Sequence, residues 1–129
     1  MKNILLTGFL FLLILTVGCS DTDHIGDDYE VSYVDIQNNR NIYYKNQGVF
    51  DNLSVNMVIY NKDKILVRGC LFKNTTEVDH SKYLYFYINK LSYASDPSQM
   101  KSSGLFGPVD SLAFENIRKN LGNSEILSW

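Results

Sequence analysis

Cys19 is the residue whose type and position specify chemistry most directly. It ends a run in which Met1-Lys2-Asn3 is followed by the apolar stretch Ile4 to Val17 and then by Gly18-Cys19-Ser20. That stretch is shorter than the roughly 20 apolar residues a spanning helix needs, and its short basic start is that of a secretory signal. A small residue directly before the cysteine predicts a bacterial lipoprotein signal: the thiol takes a diacylglyceryl group, and the mature chain starts at Cys19. The other chemistry-bearing residues form no comparable pattern. Nucleophilic catalysis needs a nucleophile, a base and a group that orients the base. The chain has two histidines, His24 and His80. His80 follows Glu77 and Asp79 and precedes Ser81, all on one polar loop that offers no preorganisation. The same loop could hold a cation weakly, but a solvated loop is the plainer reading. Zinc would need three or four converging ligands, and calcium an Asp-x-Asp-x-Asp-Gly loop with a closing glutamate. Asp21, Asp23, Asp27 and Asp28 lack that spacing. No catalytic, metal or cofactor residues are therefore assigned, and the chain reads as a non-enzyme.

The elements that would have to position any site come next. Removal of residues 1–18 leaves 111 residues with net charge −3, enough for one domain. That balance argues against a nucleic-acid partner, which calls for a basic face. Cys70 is left without an intramolecular disulfide partner, so the core alone must hold the fold. It lies in an apolar run and reads as a small buried hydrophobe. Arg68 would share its strand face, which leaves a reactive thiol as the lesser alternative. Residues 19–28 read as a mobile acidic tether. Its aspartates are either a plain solvated spacer or an address that sends a lipoprotein to the outer face of an outer membrane.

Period-two alternation begins at Tyr29, giving a strand to about Ile36 that could pair with Ile42-Tyr43-Tyr44. Asn46 to Asn52 reads as a loop. Leu53, Val55, Met57 and Ile59 are expected on one strand face, and Ile65 to Phe72 returns after the turn Asn61-Lys62-Asp63-Lys64. Gly69 signals a bulge or a close backbone approach. Tyr83 to Ile88 is apolar on both faces and is expected to be central and covered on both sides. Leu91 to Gly107 reads as a long connection. A final helix follows, either with Gly107 as N-cap and Pro108 at its first position or with Asp110 as cap. Its apolar stripe is expected at Val109, Leu112, Ala113, Ile117 and Leu121, with Phe114 at the edge, and Gly122 is placed to end it. Glu115 and Lys119 stand at a favourable i,i+4 spacing. Ile126, Leu127 and Trp129 form an apolar tail able to fold back on the core. The expected fold class is α+β, with four to five antiparallel strands and one C-terminal helix packed on the sheet. Domain organisation is 1–18 signal, 19–28 lipidated tether and 29–129 a single domain.

Tyr85-Phe86-Tyr87-Ile88-Asn89-Lys90, followed by Gly107-Pro108 and then Phe114, Arg118 and Leu121, resembles a family of small bacterial lipoproteins of unknown function. In that family a strand ending in Asn-Lys precedes a Gly-Pro helix with a Phe-x3-Arg-x2-Leu pattern. The resemblance implies a small envelope domain and carries over no functional residues. Ser102-Ser103-Gly104 resembles the serine-containing loop by which small envelope inhibitors plug lysozyme clefts. Among nine tyrosines, Tyr29, Tyr33, Tyr43, Tyr44 and Tyr93 are too many for one small core. They either form a binding surface or cover the sheet with their hydroxyls in water. The sequence thus leads to a monomeric or weakly associating protein held to the cell membrane or outer membrane by lipid on Cys19. It is expected to be a non-enzymatic binding module for a protein or cell-wall partner. The alternative is an inhibitor or immunity-type protein against an envelope-acting hydrolase or toxin.

Overall fold

The strongest hairpin of the sequence is also the spine of the structure. A computed structural model of the chain describes residues 21–33, 36, 38–90 and 96–129. Strands β5 (Leu53–Tyr60) and β6 (Lys64–Leu71) pair antiparallel around the Asn61 turn. The Asn61 side chain accepts from the backbone N–H groups of Asp63 and Lys64, both at 2.8 Å, so the turn is held by its own first residue. On one side β6 pairs with β7 (Leu84–Asn89), which in turn pairs with β8 (Leu105–Val109). On the other side β5 pairs with β9 (Glu125–Ser128). The order of this five-stranded sheet is β8-β7-β6-β5-β9. A second, four-stranded sheet runs β1-β2-β3-β4, from β1 (Thr22–His24), β2 (Tyr29–Tyr33), β3 (Arg40–Tyr44) and β4 (Gln47–Gly48). Among the described residues the fold adds two short helices, α1 (Pro97–Ser103) and α2 (Ser111–Lys119).

The layers are sheet, sheet, helix. Between the sheets lie Tyr29, Val31, Ile42, Tyr44 and Val49 from the first and Val55, Val58, Ile65, Val67 and Ile88 from the second, with Met100 of α1. The outer face of the five-stranded sheet carries Ile59 and Leu66 against Phe114 and Leu121, ringed by Met57, Tyr85, Tyr87 and Ile117. The fold is therefore α+β as expected, but with two sheets and nine strands among the described residues. The single sheet of four or five strands is corrected.

A bulge explains how β5 serves both cores. Val55 pairs with Gly69 and Met57 with Arg68, so Asn56 is an extra residue and the alternation reverses after it. Leu53 and Val55, then Val58, face the other sheet, while Met57 and Ile59 face α2. The expected single face of Leu53, Val55, Met57 and Ile59 is thereby split in two. Gly69 sits opposite at close quarters: a Cβ there would lie 2.7 Å from Leu53 Cγ and 2.7 Å from the Ser54 carbonyl oxygen.

Other expectations change for similar reasons. Thr22–His24 pairs with β2, and Ile25 is 1% exposed. Residues 22–25 are thus part of the domain and not a mobile tether. Lys45 and Asn46 both take positive φ (48° and 65°) between paired Tyr44 and Gln47. This is the two-residue hairpin turn that matches strand twist, so the expected Asn46 loop begins as a strand pair. The expected connection from Leu91 contains α1 and β8; residues 91–95 lie outside the described residues. Gly107 and Pro108 belong to β8, joined by a cis peptide bond, and cannot cap the helix. Asp110 is the N-cap of α2, accepting from Ala113 N at 2.7 Å. Its buried face is Phe114, Ile117 and Leu121, at spacings of three and four, while Leu112 is 71% exposed. Glu115 pairs with Arg118 at 3.0 Å rather than with Lys119.

Candidate functional site

At one end of the sandwich, three chain segments converge on Lys90. They are the β1–β2 turn at Ile25–Asp27, the β5–β6 turn at Asn61–Asp63, and Asn123–Glu125 leading into β9. Together with His24, Tyr60 and Leu121 they line a groove of about 790 Å³. A smaller hollow of about 350 Å³ shares Asn61, Asp63 and Leu121 with it and extends along Asn116, Ile117 and Asn120 of the α2 end.

Lys90 immediately follows β7, and its backbone N–H donates to Asp63 O at 2.9 Å. Its side chain is 6% exposed and crosses to the other sheet, where Nζ donates to Ile25 O at 2.8 Å and stands 3.9 Å from an Asp27 carboxylate oxygen. The ammonium lies 6.0 Å from the Tyr29 ring centroid and 5.8 Å from that of Tyr60. Burial lowers its pKa from the ordinary lysine value, and the carboxylates of Asp27 and Asp63 act against that shift.

The two tyrosines differ in how their hydroxyls are satisfied. Tyr60 donates to Glu125 Oε2 at 2.6 Å. That hydrogen bond first, and then burial and nearby carboxylates, pushes its pKa up to about 12. Tyr29 is 3% exposed, its ring 4.5 Å from that of Tyr44, and its hydroxyl has no hydrogen-bond partner among the described residues. Burial, and then Tyr44 and Asp27, raises it to about 12. Asn61 Nδ2 donates to Leu121 O at 2.8 Å, tying the hairpin turn to the end of α2. The groove therefore combines a sheltered ammonium, amide and hydroxyl groups, apolar Ile25 and Leu121, and the carboxylates Asp27, Asp63 and Glu125. Such a set offers hydrogen-bond donors and acceptors beside charges of both signs.

The residues singled out in the sequence fall elsewhere. Cys19 lies outside the described residues. His80 is exposed on the β6–β7 loop, where Asp79 accepts from Ser81 N at 3.0 Å and Ser81 Oγ at 2.6 Å. The Ser81 hydroxyl, then its N–H, holds the Asp79 carboxyl below its usual range. Among the described residues no three His, Cys, Asp or Glu side chains cluster so as to hold a metal. Cys70 is 1% exposed. It shares a face with Arg68 as expected, joined through Asn56, which donates to the thiol sulfur at 3.8 Å and accepts from Arg68 Nε at 2.9 Å. Burial pushes the thiol up, which outweighs the pull of Arg68. Tyr29 and Tyr44 are buried and form no surface; Tyr33 and Tyr43 are half-buried, and Tyr93 lies outside the described residues. Ser102 and Ser103 are exposed at the end of α1, so they do not form an extended loop.

Sequence reasoning missed Lys90, Tyr60, Glu125 and Ile25 as a group. The available signals were the Asn89-Lys90 strand end and the turn-forming Gly26-Asp27-Asp28, but their convergence depends on how the two sheets face. No family model matches the chain, and neither a curated protein nor a solved structure matches it.

Proposed function

We propose that this protein is a non-enzymatic, lipid-anchored binding module of the cell envelope, and that it takes a peptide-like segment of its partner in the Lys90 groove. The observation that supports the reading is the polarity of the domain. β1 runs from Thr22, three residues beyond Cys19, to His24 at the groove, and β2 runs back from Tyr29, two residues after groove-lining Asp27, to Tyr33. The four residue steps from Tyr29 to Tyr33 span about 13 Å, so Asp21, which contacts Arg40 opposite Tyr33, and the groove lie at opposite ends of the β1–β2 hairpin. An anchor on Cys19 would hold the groove pointing away from the lipid. A peptide suits the groove because its amides and termini are both donors and acceptors, matching an ammonium beside carboxylates and side-chain amides.

Two measurements test the proposal. Replacing Cys19 by Ala should move the protein from the membrane to the soluble envelope fraction, and persistent membrane fractionation would refute the anchor. Soluble wall stem peptides titrated into isotopically labelled domain should shift the amide resonances of Ile25–Asp27, Tyr60–Asp63 and Asn123–Glu125. Glu125→Gln and Lys90→Met should each weaken that response. Shifts confined to other surfaces would refute the groove as the binding site.

A further inference from the structure

The end of the sandwich opposite the groove is built around Arg40. Its side chain is 7% exposed, and the guanidinium carbon stands 4.3 Å from the Trp129 ring centroid and 5.2 Å from that of Tyr33. Asp21 Oδ2 is 3.9 Å from Arg40 Nη2. Trp129 is 42% exposed despite this stacking, and Ile36, in the turn of the same β2–β3 hairpin, is 37% exposed. Among the described residues this end therefore shows solvent a tryptophan, a half-buried tyrosine and an isoleucine around Arg40, whose charge is met by Asp21 and Asp23.

We infer that this face is a membrane-docking surface that lies in the headgroup layer of the bilayer, so that Trp129, Tyr33 and Ile36 fix the orientation of the domain. The inference rests on the anchored reading of Cys19 and goes beyond it, because an anchor alone leaves a domain free to tumble. Three arguments select a lipid surface as the occupant. Asp21 is two residues from Cys19, at most about 7 Å of chain, and it contacts the Arg40 that holds Trp129, so the bilayer lies within reach of this face. The side chains are those that favour the interface, where rings with an apolar body and a polar edge sit at headgroup depth. Arg40 is already largely desolvated between Trp129 and Tyr33 and faces Asp21 and Asp23, so no unmatched cation has to be stripped of water at the point of approach. The headgroup layer is roughly 5–8 Å thick on each side, enough to take these rings without sinking the sheet.

Trp129 is the one tryptophan of the sequence and is its own reporter. The lipidated protein is reconstituted into phosphatidylcholine vesicles, isolated by flotation, and its emission compared with that of the Cys19→Ala protein in buffer. Expected is emission at shorter wavelength, with most of the intensity lost when bromines sit on the acyl chain near the headgroup and little lost when they sit at the chain end. A control combining Trp129→Phe with Phe106→Trp moves the reporter to β8, at the far edge of the sheet, and should keep its intensity. Protein that floats with the vesicles but is not quenched would overturn the docking face and leave the anchor standing. Protein that fails to float would overturn the anchor and the docking face together. A blue shift that follows protein density and ignores brominated lipid would assign the face to a second copy of the chain, and also overturn the proposal.

Discussion

Tyr29 carries a buried hydroxyl with no hydrogen-bond partner among the described residues, and a lone buried polar group of that kind costs roughly 1–3 kcal/mol. Tyr29→Phe should therefore stabilise the domain by a similar amount, measured by urea denaturation at neutral pH. It should also change the alkaline limb. The folded hydroxyl keeps its proton to about pH 12, and an unfolded tyrosine to about pH 10. The raised pKa thus contributes stability that is fully present below pH 10 and lost between 10 and 12. Tyr60 contributes a second limb of the same sign. Removing the Tyr29 hydroxyl should shallow the loss without abolishing it. An unchanged alkaline profile would mean that the Tyr29 hydroxyl is hydrated in solution.

At the scale of elements, two devices decide which side chains reach the cores. The Asn56 bulge lets one strand feed both faces, and Gly69 is the residue that lets the partner strand approach there. Gly69→Ala would place a methyl group 2.7 Å from Leu53 and from the Ser54 carbonyl. It should destabilise by about 1–3 kcal/mol, as overpacking does, with a lower midpoint in urea and an unchanged slope. Helix α2 gives the second test. Phe114 is 1% exposed and its ring centroid lies 4.9 Å from that of Tyr85. Phe114→Ala should cost about 3–5 kcal/mol. Leu112→Ala, on the 71% exposed face, should stay within about 0.5 kcal/mol of the parent. Equal costs would mean that the helix packs on the stripe expected from sequence.

For the whole molecule, the consequence of β1 is that the domain starts three residues after Cys19, the proposed anchor position. Ile25 belongs to the core between the sheets, and its carbonyl receives Lys90 from the other sheet. Ile25→Ala should cost about 2–5 kcal/mol in urea denaturation, whereas the same change in a mobile tether would cost nothing measurable. With the proposed lipid on Cys19, the short distance to β1 leaves little chain between lipid and domain for a protease to cut. In vesicles, limited proteolysis should therefore cut the groove-end turns before it releases the domain from the lipid.

Several features were legible because they are local. The β5–β6 hairpin follows from alternation around a polar turn, the burial of Cys70 from its apolar run, and the Asp110 cap from a side-chain oxygen placed three residues before the backbone N–H that donates to it. The aromatic content of β7 gives it partners on both faces, but only Ile88 of the strand is buried and Tyr83 is 44% exposed, so the full covering expected of it is not reached. The rest depended on contacts between distant segments. Alternation cannot announce a bulge, so the faces of β5 were misassigned after Asn56. A polar segment such as Thr22–His24 has no hydrophobic signal of its own and becomes a strand only because β2 offers an edge. Gly-Pro reads equally as a helix start or as a strand at a sheet edge, and pairing with β7 decides it. The Lys90 groove and the Arg40 face lie furthest from the sequence: each joins residues 60 or more positions apart, and only the stacking of two sheets brings them to opposite ends of one domain.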